Sequence, residues 1–295
     1  MAVRNPTGAD YGRTFNIDTG RGTLEVMDPD TLASFLYSRN GRDVSFVDVA
    51  FNNVTILSNP WTSTADASAT AFTQDPTIAG GAVKGATGAT GEGAMSLFGA
   101  PIFQPQLNCG MEVSLKVSAI TNIRLEVGWV NVITDKTLPV ATDVDGTPTF
   151  AADSTEVAIM SWQTDDTIVT PRFVGDSVDF PTAKGATLMT PYGVPAASQT
   201  AWIPTADTWF SVRVQNYGTR ASSDADPTGS VACMIFNDKN QIVAFSMFDA
   251  IAGGGTGGLT PEAMLAPWIF GGTINTTSKD VHVRYARAWA DRYVN

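Results

Sequence analysis

Apolar and polar residues alternate along most of the chain between residues 44 and 289, with the period of two that is typical of β-strands. The clearest example covers 111–129, where a turn at Thr121-Asn122 separates two alternating runs. This pattern predicts an antiparallel hairpin with one face in solvent. Glu112 and Glu126 fall on that face, so we expect them to form cross-strand ion pairs with nearby bases.

The same alternation predicts further strands at 44–57, 156–162, 168–174, 209–216, 231–236, 242–248 and 281–289. A tight turn at 237–240 joins two of them into a second predicted hairpin. In the last strand the pattern places Val283, Tyr285 and Trp289 on the apolar face. Many strands with little helix predict an all-β protein, an antiparallel β-sandwich or jelly roll.

The first sixty residues have a different character. Residues 1–23 are polar and Gly-rich and predict an extended arm. A capping Asp, a Pro at the first helical position and a following Gly predict one short helix over 28–38. We therefore predict an N-terminal arm with a helix over 1–60, then a β-sandwich domain over 61–295. The residues expected to contact another subunit are Leu32, Phe35, Leu36 and Tyr37.

The net charge of the chain limits the kinds of molecule that it is expected to bind. The chain of 295 residues has 29 acidic and 18 basic residues, giving a net charge of −11. The basic residues are scattered, which argues against binding to a phosphate backbone, so no nucleic-acid partner is expected. The first residues have no apolar signal segment and no run is long enough to span a membrane, so we expect synthesis in a host cytoplasm, no secretion and no membrane partner.

Residues suited to catalysis or metal binding are scarce. His282 is the single histidine, and we expect it to be a partly exposed strand residue and not a general base. Cys109 and Cys233 are expected to be thiols in place of a disulfide, with Cys233 buried in an apolar strand and the surroundings of Cys109 left open. The loops at 143–146 and 224–229 are interpreted as turns, with calcium as the lesser alternative. We thus predict no catalytic residues, no cofactor and no metal ligands.

Three tryptophans lie in predicted loops next to proline or alanine, namely Trp61, Trp202 and Trp268. They are candidates for facing a ligand, because an aromatic ring can stack on a sugar. Alternatively, they anchor long loops or cover subunit contacts.

The runs 111–115, 123–129 and 209–214, followed by the hairpin of 231–248 and the strand of 279–285, resemble concanavalin-A-like and laminin-G-like jelly rolls. An arm ahead of such a domain, with Thr-, Ala- and Gly-rich loops, is similar to tailed-phage virion proteins. The resemblance implies a non-enzymatic virion protein that decorates or cements a phage capsid. Its partners would be copies of itself and the capsid shell.

The same residues are also compatible with a different function. The jelly roll is also compatible with a carbohydrate-binding or receptor-binding module of a phage tail or fibre, with a glycan as partner. A third alternative, a sandwich-fold glycosidase, would need two carboxyl groups roughly 5–10 Å apart in a cleft.

Overall fold

The structure, a computed structural model, describes residues 14–18, 23–28, 33–36, 44–50, 61–79, 81–89, 93–133, 136–144, 147–151, 154–164, 171–177, 185–191, 202–217, 230–248 and 259–291. Within these ranges the strands, numbered in chain order, are β1 (Thr14–Asp18), β2 (Thr23–Asp28), β3 (Ala33–Leu36), β4 (Val44–Ala50), β5 (Trp61–Ala65), β6 (Thr70–Gln74), β7 (Val83–Ala86), β8 (Ala94–Gly99), β9 (Gly110–Val117), β10 (Ile123–Val130), β11 (Ala141–Val144), β12 (Thr147–Phe150), β13 (Val157–Gln163), β14 (Arg172–Asp176), β15 (Gly185–Leu188), β16 (Thr190–Pro191), β17 (Phe210–Tyr217), β18 (Ser230–Asn237), β19 (Ile242–Phe248), β20 (Ala266–Thr273) and β21 (Asp280–Asp291). A single turn of 3₁₀ helix covers Pro105–Leu107.

Two large antiparallel sheets form the body of the protein. One has seven strands in the order β15-β14-β13-β10-β20-β8-β5. The other has nine, in the order β16-β19-β18-β17-β9-β21-β7-β6, with β4 also paired to β21. The chain repeatedly crosses between the sheets, as from β8 to β9 to β10, and this wrapping is that of a jelly-roll β-sandwich. The predicted fold class is confirmed.

The core lies between the two inward faces. From the nine-stranded sheet it takes the alternate residues Met111, Val113, Leu115 and Val117 of β9, and from the other sheet Leu125, Val127 and Trp129 of β10. The Trp129 indole N–H donates to the Val214 carbonyl at 3.2 Å, which links the two sheets directly. Burial of these alternate side chains is what fixes the strand registers.

The predicted hairpin of 111–129 is wrong in its pairing, although both strands exist. Strand β9 pairs with β17 and β21, whereas β10 pairs with β13 and β20. The turn at Thr121-Asn122 thus carries the chain from one sheet to the other. The second predicted hairpin is confirmed, because β18 and β19 pair antiparallel.

The predicted helix over 28–38 is also wrong. Residues Ala33–Leu36 form β3, which pairs with β2 in a separate three-stranded sheet of order β1-β2-β3. An isolated helix of about ten residues is marginal in water, so strand pairing overrides the capping signals. In the described part of the chain, no helix has the length and apolarity needed to cross a membrane.

The outward face of the seven-stranded sheet is covered by the chain around β11. Glu126, expected in solvent, is about 1% exposed there and accepts hydrogen bonds from the backbone N–H groups of Val140 and Ala141 at 2.9 and 2.8 Å. The Trp268 indole N–H donates to the same carboxyl at 2.8 Å. Gln163 adds a bond to the Ala141 carbonyl. These contacts fasten the β11 segment to the sheet.

Burial raises the pKa of Glu126 from its ordinary value of 4.5 to about 7, although the donors of Ala141, Val140 and Trp268 act in the opposite direction. Between these two values the folded protein holds a proton that the unfolded chain has released. The folded state is therefore favoured at low pH with respect to this group, and the benefit is lost as the pH rises.

We expect the Glu126 contribution to the free energy of unfolding to be fully present below about pH 4.5 and lost as the pH rises through about 7. Urea unfolding of the wild type and of Glu126→Gln, each at about pH 5 and about pH 8, measures it. The wild type should lose more stability than the variant between the two pH values. The variant is the reference because His282, whose pKa burial lowers, also titrates in this range. Equal losses would contradict the assignment.

Candidate functional site

The candidate site is the outward face of the nine-stranded sheet where β17, β9 and β21 run side by side. The strand registers align Arg213 with Glu112 and Glu112 with Arg287 in one row. They align Ser211, Ser114 and Tyr285 in the next row. This face is therefore polar and aromatic, in contrast to the aliphatic inward face of the same strands.

An ion cluster forms the base of this face. The Glu112 carboxylate accepts from the Arg213 Nε at 2.6 Å, from the Arg287 Nη2 at 2.8 Å and from the Tyr285 hydroxyl at 2.6 Å. Glu112 and Arg287 are about 1% and 2% exposed. The prediction that the Glu112 side chain lies in solvent is wrong, because this ion cluster encloses it.

The electrostatics of the cluster keep Glu112 ionised. Burial alone would raise the pKa of this carboxyl, but the charges of Arg287 and Arg213 and the Tyr285 hydroxyl hold it below its ordinary value. The pKa of Tyr285 is raised by burial and by the neighbouring Glu112 charge. Glu112 is thus a permanent anion that orients two arginines, and it has no proton to give at neutral pH.

A second group on this face is centred on Trp209, which directly precedes β17 and is partly exposed. The guanidinium carbon of Arg284 lies 4.2 Å from the centre of the Trp209 ring system, and the Lys116 ammonium lies 5.6 Å from it. Both cations are also partly exposed. An indole flanked by two cations is a stable arrangement, because the ring face carries negative potential.

A β-bulge interrupts β21 at Arg284. The register of β21 against β9 shifts between Val283 and Tyr285, so Arg284 is the extra residue. The bulge occurs where the other neighbour of β21 changes from β7 to β4. It shifts the alternation that follows, so Tyr285 lies on the outward face with Arg284, and bulges of this kind are common at functional sites.

His282 lies near the same group, opposite Lys116 in the register. Its Nδ1 is 3.0 Å from a carboxylate oxygen of Asp75, and its side chain is only 10% exposed. Burial lowers the pKa of His282, with the Lys116 charge adding to the effect. The expected partly exposed histidine is in fact buried beside an acid. In the part of the chain that the structure describes, no serine or cysteine side chain is hydrogen-bonded to His282 Nδ1.

The third feature of the face is Trp289, partly exposed at the far end of β21. Trp289 pairs with Gly110 of β9, and a Cβ built on Gly110 would come within 2.4 Å of the indole ring. It would also come within 2.2 Å of the Gln215 side-chain oxygen. Gly110 therefore leaves the space in which the indole of Trp289 and the amide of Gln215 lie close to the strand.

The tryptophans chosen from the sequence do not form a ligand-facing surface. Trp61 and Trp268 are about 1% and 0% exposed, so they belong to the interior and not to a sugar platform. Trp202 is partly exposed and packs edge-on against Phe210, with 5.4 Å between ring centres. Sequence analysis missed Trp209 and Trp289, because both fall within runs interpreted only as strands.

The structure describes only two of the four residues that were predicted to contact another subunit. Phe35 and Leu36 fall in β3, and their contact with another subunit stays a prediction. Leu32 and Tyr37 lie outside the described residues, as do the loop of 224–229 and residues 145–146 of the loop of 143–146.

Within the described residues, no group of three or more His, Cys, Asp or Glu side chains lies close enough to hold a metal ion. Cys109 and Cys233 are both free thiols, as predicted, and both are buried, which raises the pKa of each.

The strand carboxylates do not converge. Glu112 binds its two arginines on one sheet, while Glu126 binds the β11 segment on the other. Glu156 accepts from the backbone N–H and the hydroxyl of Thr260 at 2.9 and 2.5 Å. Each acid has its own donors, which is the pattern of structural carboxylates.

No protein-family model matches the chain, and no curated protein is significantly similar to it. Among solved structures, it is similar to the seed lectin of Lotus tetragonolobus (TM-score 0.48, 6% identity, 85% of this chain and 100% of that chain). It is also similar to the CBM2 module of the evolved Dit of Lactobacillus casei BL23 phage J-1 (TM-score 0.47, 10% identity, 86% and 99%). A third is the carbohydrate recognition domain of Emp47p (TM-score 0.47, 10% identity, 86% and 99%). Because these TM-scores are below 0.5, function is inferred below from the side chains of this chain alone.

We expect Glu112→Gln to destabilise the protein by about 3 kcal/mol or more, because it leaves Arg213 and Arg287 facing each other without a counter-charge. The free energy of unfolding from urea titration measures the effect. Glu262→Gln is the matched control, since Glu262 is exposed and the same substitution there should change stability by less than about 0.5 kcal/mol. Similar values for the two variants would show that the ion cluster is not a structural element.

Proposed function

We propose that this chain is a non-enzymatic binding module that recognises a carbohydrate on the outward face of β17, β9 and β21. The observation that supports this most is the pair of partly exposed tryptophans, Trp209 and Trp289, on a face otherwise made of polar side chains. Sugars present apolar C–H surfaces between hydroxyl groups, so a binding site needs aromatic area beside hydrogen-bonding groups.

The polar groups of this face are held in place before any ligand arrives. Gln215 donates through its side-chain amide to the carbonyls of Asn108 and Asn216, both at 2.8 Å. Arg213 is held by Glu112 and stacks on Phe236, with 4.9 Å from the guanidinium carbon to the ring centre. A rigid site loses less conformational entropy on binding, which favours recognition of a flexible polar ligand.

Binding without cleavage fits the acids of this face. Glycoside hydrolysis requires one carboxyl group that gives a proton and a second that acts across the scissile bond. The lowered pKa of Glu112 removes it as a proton donor, and its oxygens are engaged by Arg213, Arg287 and Tyr285. Glu126, with a pKa of about 7, is buried on the other sheet.

Binding to a glycan array tests the proposal. Fluorescently labelled wild-type protein should bind a defined set of glycans, and Trp209→Ala and Trp289→Ala should each weaken that binding by roughly tenfold, because each removes an aromatic contact. Trp202→Ala is the matched control, since it removes a tryptophan that packs on the core residue Phe210. Thermal unfolding verifies that all three variants are folded.

An array without hits contradicts carbohydrate recognition. Equal binding by the wild type and both face variants would place the glycan elsewhere on the protein. Release of shortened sugars from bound glycans, detected by mass spectrometry, would show that the protein is an enzyme.

Decoration of a phage capsid, the first function predicted from the sequence, stays a prediction and is compatible with a glycan-binding body. Among the described strands, the three of 14–36 pair with one another alone, in a sheet separate from the two sheets of the sandwich. Strand β4 pairs with β21. If the segment before β4 serves assembly, it should be removable without loss of the sandwich.

We therefore expect deletion of residues 1–40 to leave a folded sandwich that no longer forms oligomers. Light scattering gives the oligomeric state, and circular dichroism gives the β-sheet content. An oligomer of unchanged size after the deletion would remove the assembly role of this segment.

A further inference from the structure

Arg284 is a cation that the fold brings to the outward face and leaves without an anion among the described residues. Its Nε is buried and has no hydrogen-bond acceptor there. The guanidinium instead packs on Trp209, with 4.2 Å from its central carbon to the ring centre. Burial lowers the pKa of Arg284, which is the expected sign for a cation whose lost hydration is not replaced.

Lys116 is the second cation of this kind. Its ammonium group lies 5.6 Å from the centre of the same Trp209 ring system, so both cations face one spot. Among the described residues, neither Lys116 nor Arg284 lies within 4.0 Å of a carboxylate oxygen in an ion pair.

The neighbouring bases differ in this respect. Lys84 pairs with Asp280 at 2.7 Å, and His282 lies 3.0 Å from Asp75. Arg213 and Arg287 share Glu112. The other described bases of this face thus have an acid.

The excess of acidic residues in the chain makes the lack of an ion pair at Lys116 and Arg284 more informative. Acidic residues outnumber basic ones by 29 to 18 in this chain, so a shortage of acids does not account for two bases without an ion pair. Two partly exposed cations beside one indole are an anion-binding arrangement. A guanidinium offers a planar fork for a carboxylate or sulfate, and an ammonium adds a point charge.

We propose that Arg284 and Lys116 bind the acidic group of a carboxylated or sulfated sugar, while the exposed part of Trp209 contacts its ring. This inference rests on the proposed carbohydrate recognition and specifies the class of glycan. The bulge at Arg284 then brings Tyr285 and Arg287 of the ion cluster onto the same face as Arg284.

The test uses one array that carries neutral, carboxylated and sulfated glycans. Binding should be confined to the acidic glycans and should weaken as NaCl is raised, because salt screens the attraction between the charges. Calorimetry on the strongest hit and its neutral analogue then gives affinities. Arg284→Gln and Lys116→Gln should each weaken binding of the acidic glycan roughly tenfold or more.

Two further variants make the result decisive. Lys239→Gln removes an exposed charge in the turn between β18 and β19 and should leave binding unchanged. Arg284→Lys keeps the charge but loses the planar fork, so it should bind more tightly than Arg284→Gln. Thermal unfolding verifies that each variant is folded.

Each of the following results would contradict a specific part of the proposal. Hits among neutral glycans that are lost in Trp209→Ala would retain carbohydrate recognition and overturn the acidic class. Acidic hits that Lys239→Gln weakens as much as Arg284→Gln would mean nonspecific charge attraction and overturn the Arg284 site. Binding to DNA as strong as to acidic glycans would overturn the assignment to a sugar, and an array without hits would contradict both proposals.

Discussion

The buried carboxylate of Glu112 determines what the outward face of the nine-stranded sheet can be. A charge removed from water must be compensated, and Glu112 is compensated by Arg213 and Arg287 on the two flanking strands. Three neighbouring strands are thereby joined through side chains as well as through their backbones. An aliphatic cluster at this place could give equal stability, but it would not present oriented polar groups to a ligand.

Alternate burial leaves a period-two pattern that was sufficient to predict the fold class and strands such as β9, β10, β18 and β19. Capping signals wrongly predicted a helix where β3 lies, and the period-two pattern did not predict β5 to β8 or β20. It was insufficient for the pairing of β9 and β10, which a short turn can join either as a hairpin or as a passage between sheets. Only the burial of the outward faces of both β9 and β10 distinguishes a passage between sheets from a hairpin. Those faces carry Glu112 and Glu126, residues that resemble solvent-exposed ones until their specific donors are known.

The site was less predictable than the fold, and β21 shows why. Regular alternation places Val283, Tyr285 and Trp289 on one face. The bulge at Arg284 shifts the phase, so Val283 faces the core while Tyr285 and Trp289 face outward. A single inserted residue has no signature in composition or periodicity. Trp209 was missed for a related reason. A tryptophan at the end of a strand is common in a core, so its position in the sequence does not indicate a site.

Strands β20 and β21 occupy central positions in the two sheets, although they are the last two strands along the chain. During synthesis on the ribosome, β8 and β10 must wait for β20, and β4, β7 and β9 must wait for β21. Until residues 266–291 emerge, five strand edges of the nascent chain lack their partners. Such a topology favours late folding, and the unpaired edges are sites where the unfinished polypeptide is prone to aggregate.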